Sequence, residues 1–308
     1  MSLSESGLSN QNPTQRNLMI FTGAVSLLVI AATVIFGLNV LVAAMVSLVF
    51  AYIIEYAFAK FRKKEFDQGW MVTPLVFTLL LPPTAPWWMA AIGATFAVFF
   101  GKAIFGGTGK TIFNPAAVGY LFLLFAFPSR MLTQWLNPVT NDIVSGATPL
   151  NALNRGIDFP WSLQDLMIGN ILGSNGETFR IGIIILGILL IILKVTDWKI
   201  PATYLATVFA INLVGGWLSP EKFRDPLLSL LVGGLLLGAF FMATDPVTAP
   251  QYNKSKILYG IGLGAITVII RNFATFSEGV VFAIIIMNAI APLIDSMKMN
   301  QQKGEVSA

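Results

Sequence analysis

The sequence predicts an all-α integral membrane protein of about ten transmembrane helices, set in two inverted five-helix repeats with proline-broken helices. Three observations carry that prediction. Hydrophobic residues make up 56% of the 308 and charged residues 11%, whereas a soluble domain carries about 25% charged residues. Mean hydropathy is +0.75, and apolar stretches follow one another with modest connections; roughly 20 such residues cross a bilayer core about 30 Å thick. Two proline-rich breaks, LPPTAP at 81–86 and TDPVTAP at 244–250, fall at matching places in the two halves.

The elements follow in order. The opening MSLSESGLSNQNPTQRN is polar and lacks the basic, apolar, small-residue order of a cleaved signal, so residues 1–17 are expected to stay as a cytoplasmic segment. Spans are expected at 18–36, 39–59, 71–81, 87–104 and 112–127, a first repeat over 18–127. The third is short and stops at Pro82-Pro83, so its freed backbone groups need protein or a wet cavity around them. A loop over 128–179 follows. The second repeat, 180–297, holds spans at 180–194, 201–217, 227–243, 256–270 and 279–297, with a cytoplasmic tail at 298–308. NPAAVG, opening the fifth span, falls where SEGVVFAIIIMNAIAP does in the second half. An odd number of spans per unit inverts one unit relative to the other, and inverted repeats with broken helices build a central site where the breaks meet.

An even number of spans puts both termini on one side. Arg130, Arg155, Arg180, Lys222, Arg224 and Arg271 fall on the other side, leaving thirteen of the nineteen basic residues with the termini. Both termini are therefore expected to be cytoplasmic and the loop 128–179 extracytoplasmic. There is no cysteine or histidine, which removes the usual ligands of zinc, haem and iron–sulfur clusters and the usual bases of nucleophilic catalysis. Redox chemistry here requires a borrowed organic cofactor.

Several motifs compete with plainer readings. GGTGKT at 106–111 imitates a phosphate-binding loop, but Ile104 stands where its first glycine is needed and an apolar span precedes it. A turn with Lys102 and Lys110 near the cytoplasmic headgroups accounts for it. YGIGLGA at 259–265 and GGLLLG at 233–238 lie in apolar spans, where small residues let helices approach closely. Glu55, near the inner end of the second span, is either a buried functional carboxylate or one that snorkels toward the basic residues at 60–64. Asp245 in TDPVTAP is placed to cap a broken helix or to meet a cation. Asn114-Pro115 is a helix-start signal that also faces the other break across the repeat axis. In NDIVSGATPL, 141–150, the small residues before Pro149 make an ordinary outer turn. Pro149 also holds Thr148 extended while Gly146 and Ala147 leave its hydroxyl approachable. With no histidine to activate it, Thr148 suits the acceptor of another enzyme's modification rather than a nucleophile.

With NDIVSGATPL, GKTIFNPAAVGY, VTPLVFTLLLPPTAP and MATDPVTAP in order, the chain resembles the D subunit of the Rnf ion-translocating electron-transport complex. It is similar, more distantly, to the B subunit of the sodium-pumping NADH:quinone reductase. The likeness runs from about Arg16 to Asp295, and the short N-terminus is closer to the Rnf protein. The resemblance implies a flavinylation motif of Asp142, Ser145, Gly146, Ala147 and Thr148, with FMN on Thr148 through a phosphoester added by a flavin transferase outside the cytoplasm. It implies a multi-pass subunit of the bacterial or archaeal cytoplasmic (inner) membrane, surrounded by lipid and with no nucleic-acid partner. Partner subunits would carry iron–sulfur centres and further flavins, moving electrons between ferredoxin and NAD as Na⁺ or H⁺ crosses. It also implies a non-covalent riboflavin in the bundle, to be sought near Asn114, Asp245 and the breaks, with Glu55 and Asp245 as ion-site candidates. A secondary transporter and a non-redox scaffold subunit are the alternative readings.

Overall fold

The computed structural model describes residues 15–156, 160–274 and 278–306. Most of the polar opening segment lies outside them. α1 (Gln15–Phe36) and α2 (Leu38–Arg62) are joined by Gly37 alone, whose φ of +90° suits a residue without Cβ. α3 (Val72–Leu80) ends at the Pro82-Pro83 break; α4 (Trp87–Val98) runs on into a π turn at Phe99–Ala103; α5 (Pro115–Ala126) begins at Asn114-Pro115. Between the halves lie α6 (Pro128–Leu132), a hairpin of β1 (Trp135–Leu136) and β2 (Ile143–Val144), α7 (Pro149–Arg155) and α8 (Leu163–Ile168). The second half runs α9 (Arg180–Ile192), α10 (Lys199–Leu218), α11 (Pro226–Leu231), α12 (Leu235–Leu237) with a π turn at Gly238–Met242, α13 (Asn253–Phe273) and α14 (Val280–Val306).

Among the described residues, five helices are long and apolar enough to cross a membrane: α1, α2, α10, α13 and α14 over Val280–Met297. Trp87–Ala103, Pro115–Ala126 and Arg180–Ile192 are shorter apolar helices. Two expectations are corrected. The helix expected over 227–243 is two pieces, because Val232 is extended and Gly233 has φ +67°. GGLLLG therefore holds a break at Gly233, while Gly238 packs closely against Val280. α14 passes the expected end at Met297 and runs to Val306.

The broken pieces form the centre. Every residue from Thr73 to Leu80 and from Leu235 to Met242 is buried. Their loose ends are satisfied by protein, as a water-poor surrounding demands. After α3, Asn175 Nδ2 donates to Thr78 O at 2.9 Å. The Asn175 and Gly176 amides donate to Leu81 O and Leu79 O at 3.0 and 2.7 Å, and Asn39 Nδ2 donates to Pro83 O and Ala85 O. A Cβ on Gly176 would stand 2.6 Å from Leu79 Cβ and 2.8 Å from Leu237 Cδ2, so only glycine threads between the two broken helices. In the second half, Asn114 Nδ2 donates to Met242 O at 3.2 Å and Asn288 Nδ2 to Thr248 O at 3.3 Å. Arg180 and Arg271, counted above among the basic residues of the outer side, are buried. Arg180 donates to Leu231 O and Arg271 to Ser229 O and Val232 O, covering the carbonyl end of α11, and Arg180 also reaches Leu166 O of α8.

The packing reading of YGIGLGA holds: Cβ atoms on Gly260 and Gly264 would collide with Thr203 and Thr207 of α10. Tyr204 and Thr267 share a hydrogen bond of 2.6 Å across the same seam. GGTGKT is a turn, with Gly106, Gly107 and Gly109 all at positive φ.

Candidate functional site

The hairpin presents the NDIVSGAT segment. Trp135 pairs with Val144 and Leu136 with Ile143, so the strand places Ser145, Gly146 and Ala147 between itself and α7. Thr148 is the N-cap of α7, at φ −69° and ψ 162°, the extended geometry that a following proline imposes. Asp142, Ser145 and Gly146 are exposed and Ala147 is half-buried. Thr148 is 6% exposed, which corrects the picture of an open outer turn. Its Oγ1 accepts from Asn151 N at 3.3 Å, and the residue borders a 260 Å³ cavity lined also by Tyr120, Trp135, Glu177, Gly234 and Glu278. The cap uses the oxygen as an acceptor, so an ester at that oxygen removes only its proton and leaves the bond from Asn151 possible. Aromatic rings and polar groups around the cavity fit a flavin edge. The space is below the roughly 300–1,000 Å³ that buries a whole drug-sized ligand, so most of such a group would lie outside it.

A second cavity, of 660 Å³, opens at the other end of α9. Ile191 and Lys194 line it, whereas Ser174 and Glu177, ahead of α9, line the first. Val72, Thr73 and Val76 of α3 face the large cavity and Leu80, at the far end of α3, the small one. Asn114 and Asp245 both line the large cavity. Asn114 caps α5, accepting from Ala117 N, while its own backbone N–H donates to Asn288 Oδ1 at 2.9 Å. The break at Asn114-Pro115 thus touches the second-half break through Met242 O. Asp245 Oδ1 accepts from Val247 N at 3.0 Å; it caps its own turn while remaining half-buried at the cavity wall.

Glu55 does not snorkel. It is 5% exposed and its Oε1 lies 2.6 Å from Lys102 Nζ, itself 3% exposed. Lys102 is consequently no headgroup lysine: it also lies 3.4 Å from Asp67 Oδ2 and donates to Gly69 O. Asp67 accepts from Gly69 N and Thr108 N. Its burial, which opposes ionisation, is outweighed by Lys102 and those bonds, so its carboxyl titrates below the usual range. Glu55 reaches the large cavity only through Lys102, which lines it. Among the described residues no three Asp or Glu side chains gather as a metal site.

Sequence reasoning missed Glu177, Glu278 and Tyr120 beside Thr148, and Asn39, Asn175 and Asn288 at the breaks. The acids carried a signal, since SNGETFR at 174–180 and SEG at 277–279 each place a carboxylate just ahead of an apolar helix. The asparagines carried none beyond being polar in apolar company.

Buried broken helices, two cavities at opposite ends and a capped threonine define a polytopic α-helical membrane protein with a site at each end of its core. Residues 3–304 match the model of the NQR2, RnfD, RnfE family, and the chain belongs to that family. It is 32% identical to the D subunit of the ion-translocating oxidoreductase complex of Yersinia pseudotuberculosis serotype I (strain IP32953), over 97% of this chain and 96% of the relative. To the D subunit of the same complex in Alcanivorax borkumensis it is also 32% identical, over 89% of this chain and 87% of the relative. Identity to the B subunit of the Na(+)-translocating NADH-quinone reductase of Ectopseudomonas mendocina (strain ymp) is 39%, over 78% of this chain. By identity this relation is therefore no more distant than that to the D subunits, but the aligned region spans 62% of the reductase protein's length.

Proposed function

We propose that this chain is the membrane-embedded flavoprotein subunit of a redox-driven ion-translocating complex of the ferredoxin:NAD oxidoreductase, Rnf type. Thr148 carries the FMN as a phosphoester. The observation that bears most weight is the placement of the Thr148 oxygen, positioned by a helix cap at the mouth of a polar and aromatic cavity, within the motif DIVSGAT. The family membership and the near full-length likeness to D subunits support the reading. When bound, a flavin supplies one- or two-electron transfer, which no side chain here can. The chain's own residues then position it: the hairpin and α7 fix the anchor, Trp135 and Tyr120 offer ring contacts, and the buried core beneath keeps bulk water from the centre.

The ten helical segments cross the membrane as two inverted repeats, 18–127 and 180–297, with both termini cytoplasmic and the 128–179 loop outside, where a separate flavin transferase reaches it. The buried short helices, proline-terminated after α3 and before Thr244-Asp245-Pro246, support this arrangement. The large cavity takes the non-covalent riboflavin, and Asn114, Asp245 and Lys102, with Glu55 paired behind it, mark the approach of the coupling ion, Na⁺ or H⁺. Iron–sulfur and flavin subunits in the membrane and peripheral ferredoxin- and NAD-side subunits complete the electron path.

A secondary transporter is the second reading, favoured by one observation: two cavities opening at opposite ends of buried broken helices. Flavin fluorescence in a denaturing gel separates the two. Produced with its transferase, the wild type should fluoresce and Thr148→Ala should not. A dark wild-type band beside solute uptake by the chain alone would favour the transporter.

A further inference from the structure

The cavity beneath Thr148 is walled by two carboxylates from separate elements, Glu177 ahead of α9 and Glu278 ahead of α14. Their situations differ. Glu278 has the stronger support as an anion: its oxygens accept from Gly234 N and Val280 N, each at 3.1 Å, and Arg271 Nη2 lies 3.7 Å away. Glu177 accepts from Ser174 N at 2.8 Å and has no cation at ion-pair distance among the described residues. A third polar group lines the same space. Tyr120, 8% exposed, is this third group.

We propose that Glu177 is the proton-binding group of this cavity, taking up one proton from water on its side when the first electron reaches the flavin anchored at Thr148. The proposal rests on the flavin reading of Thr148. The electron comes from a one-electron iron–sulfur carrier in a neighbouring subunit, which is oxidised by one electron. The Glu177 carboxylate and the oxidised flavin, with one proton and one electron, become a carboxylic acid and a flavin reduced by one electron, so the net charge in the cavity does not change. Reoxidation returns the proton to water. The physical reason is repulsion: a further negative charge beside the Glu278 carboxylate in a space of low dielectric is costly, and the less supported carboxylate gives way. Glu177 is poised for this. Burial and then the Glu278 charge push its carboxyl up to about 7, against the Ser174 bond and the charges of Arg180 and Arg271.

The test uses the full chain, flavinylated by its transferase, as wild type and as Glu177→Gln, whose amide oxygen still accepts from Ser174 N. The flavin potential is titrated spectroelectrochemically from about pH 6 to about pH 9, and its slope is read as protons bound per electron. Above pH 7 the wild type should bind about one proton more than the variant on the one-electron step. Equal counts would overturn the proposal. Should the variant fail to fold, reduced-minus-oxidised infrared spectra of the wild type decide. A gain of carboxylic-acid absorption with loss of carboxylate supports the inference, and a spectrum without that exchange overturns it. A wild-type chain with no covalent flavin, read from the denaturing gel, would sink the Thr148 reading and this inference together, which separates that failure from the others.

Discussion

Replacing Lys102 by methionine removes the cation that holds Glu55 inside the bundle. Lys102 and Glu55 are 3% and 5% exposed and 2.6 Å apart, so water cannot take over when the ammonium is lost. Stranding one charge of a buried pair costs about 3–5 kcal/mol, whereas replacing both members with neutral groups is often close to neutral. Asp67, 3.4 Å from the same nitrogen and 18% exposed, loses part of its support too, which places Lys102→Met toward the upper end of that range. Glu55→Gln should cost less, and Glu55→Gln combined with Lys102→Met should be more stable than Lys102→Met alone. Unfolding in detergent micelles, followed by tryptophan fluorescence against denaturant, gives the four stabilities of the cycle. A double variant no more stable than Lys102→Met would refute the claim that an uncompensated Glu55 is what destabilises the single variant.

Other outcomes follow from particular contacts. Gly176→Ala forces a Cβ to 2.6 Å from Leu79 Cβ and should cost about 1–3 kcal/mol. Gly216→Ala, which meets nothing within 4 Å inside α10, should instead stabilise by up to about 1 kcal/mol; thermal melts of both variants check the contrast. Asn175→Ala removes the side-chain donor to Thr78 O, which keeps the Leu81 amide, and should cost about 0.5–1.5 kcal/mol, read by the same unfolding curves. Glu177 sets a pH dependence: its carboxyl moves from 4.5 to about 7 on folding. The folded state thus binds the proton more tightly, and the associated stability is complete below pH 4.5 and lost as pH rises through 7. Glu177→Gln should flatten stability across that window, and a profile parallel to the wild type would contradict the assignment.

Much of the fold was legible because lipid makes hydropathy informative: long apolar runs such as α1, α2 and α10 have few competing structures. The proline breaks were legible too, since proline stops a helix wherever it occurs. The division of 227–243 was not, because Val232-Gly233 is as apolar as a continuous helix, and long-range capping by Arg180, Arg271 and Glu278 makes the break tolerable. Lys102 was misplaced for a related reason. A lysine near a helix end ordinarily points to the headgroups, and its partner Glu55 is 47 residues away in the sequence. At the candidate site, DIVSGATP showed an extended threonine ahead of a proline in an outer turn, but not the helix that follows. It did not show that the threonine is buried, since Tyr120, Glu177 and Glu278 arrive from three other elements.

Peptide mapping of the chain produced with its flavin transferase is the sharpest check on the Thr148 anchor. Cleavage after Arg130 and Arg155 releases residues 131–155, which contain the whole motif. This peptide should carry FMN less one water, with fragment ions assigning it to Thr148. An unmodified peptide beside an active transferase, or an adduct on Thr140 or Ser145 instead, would rule Thr148 out as the flavin's attachment point.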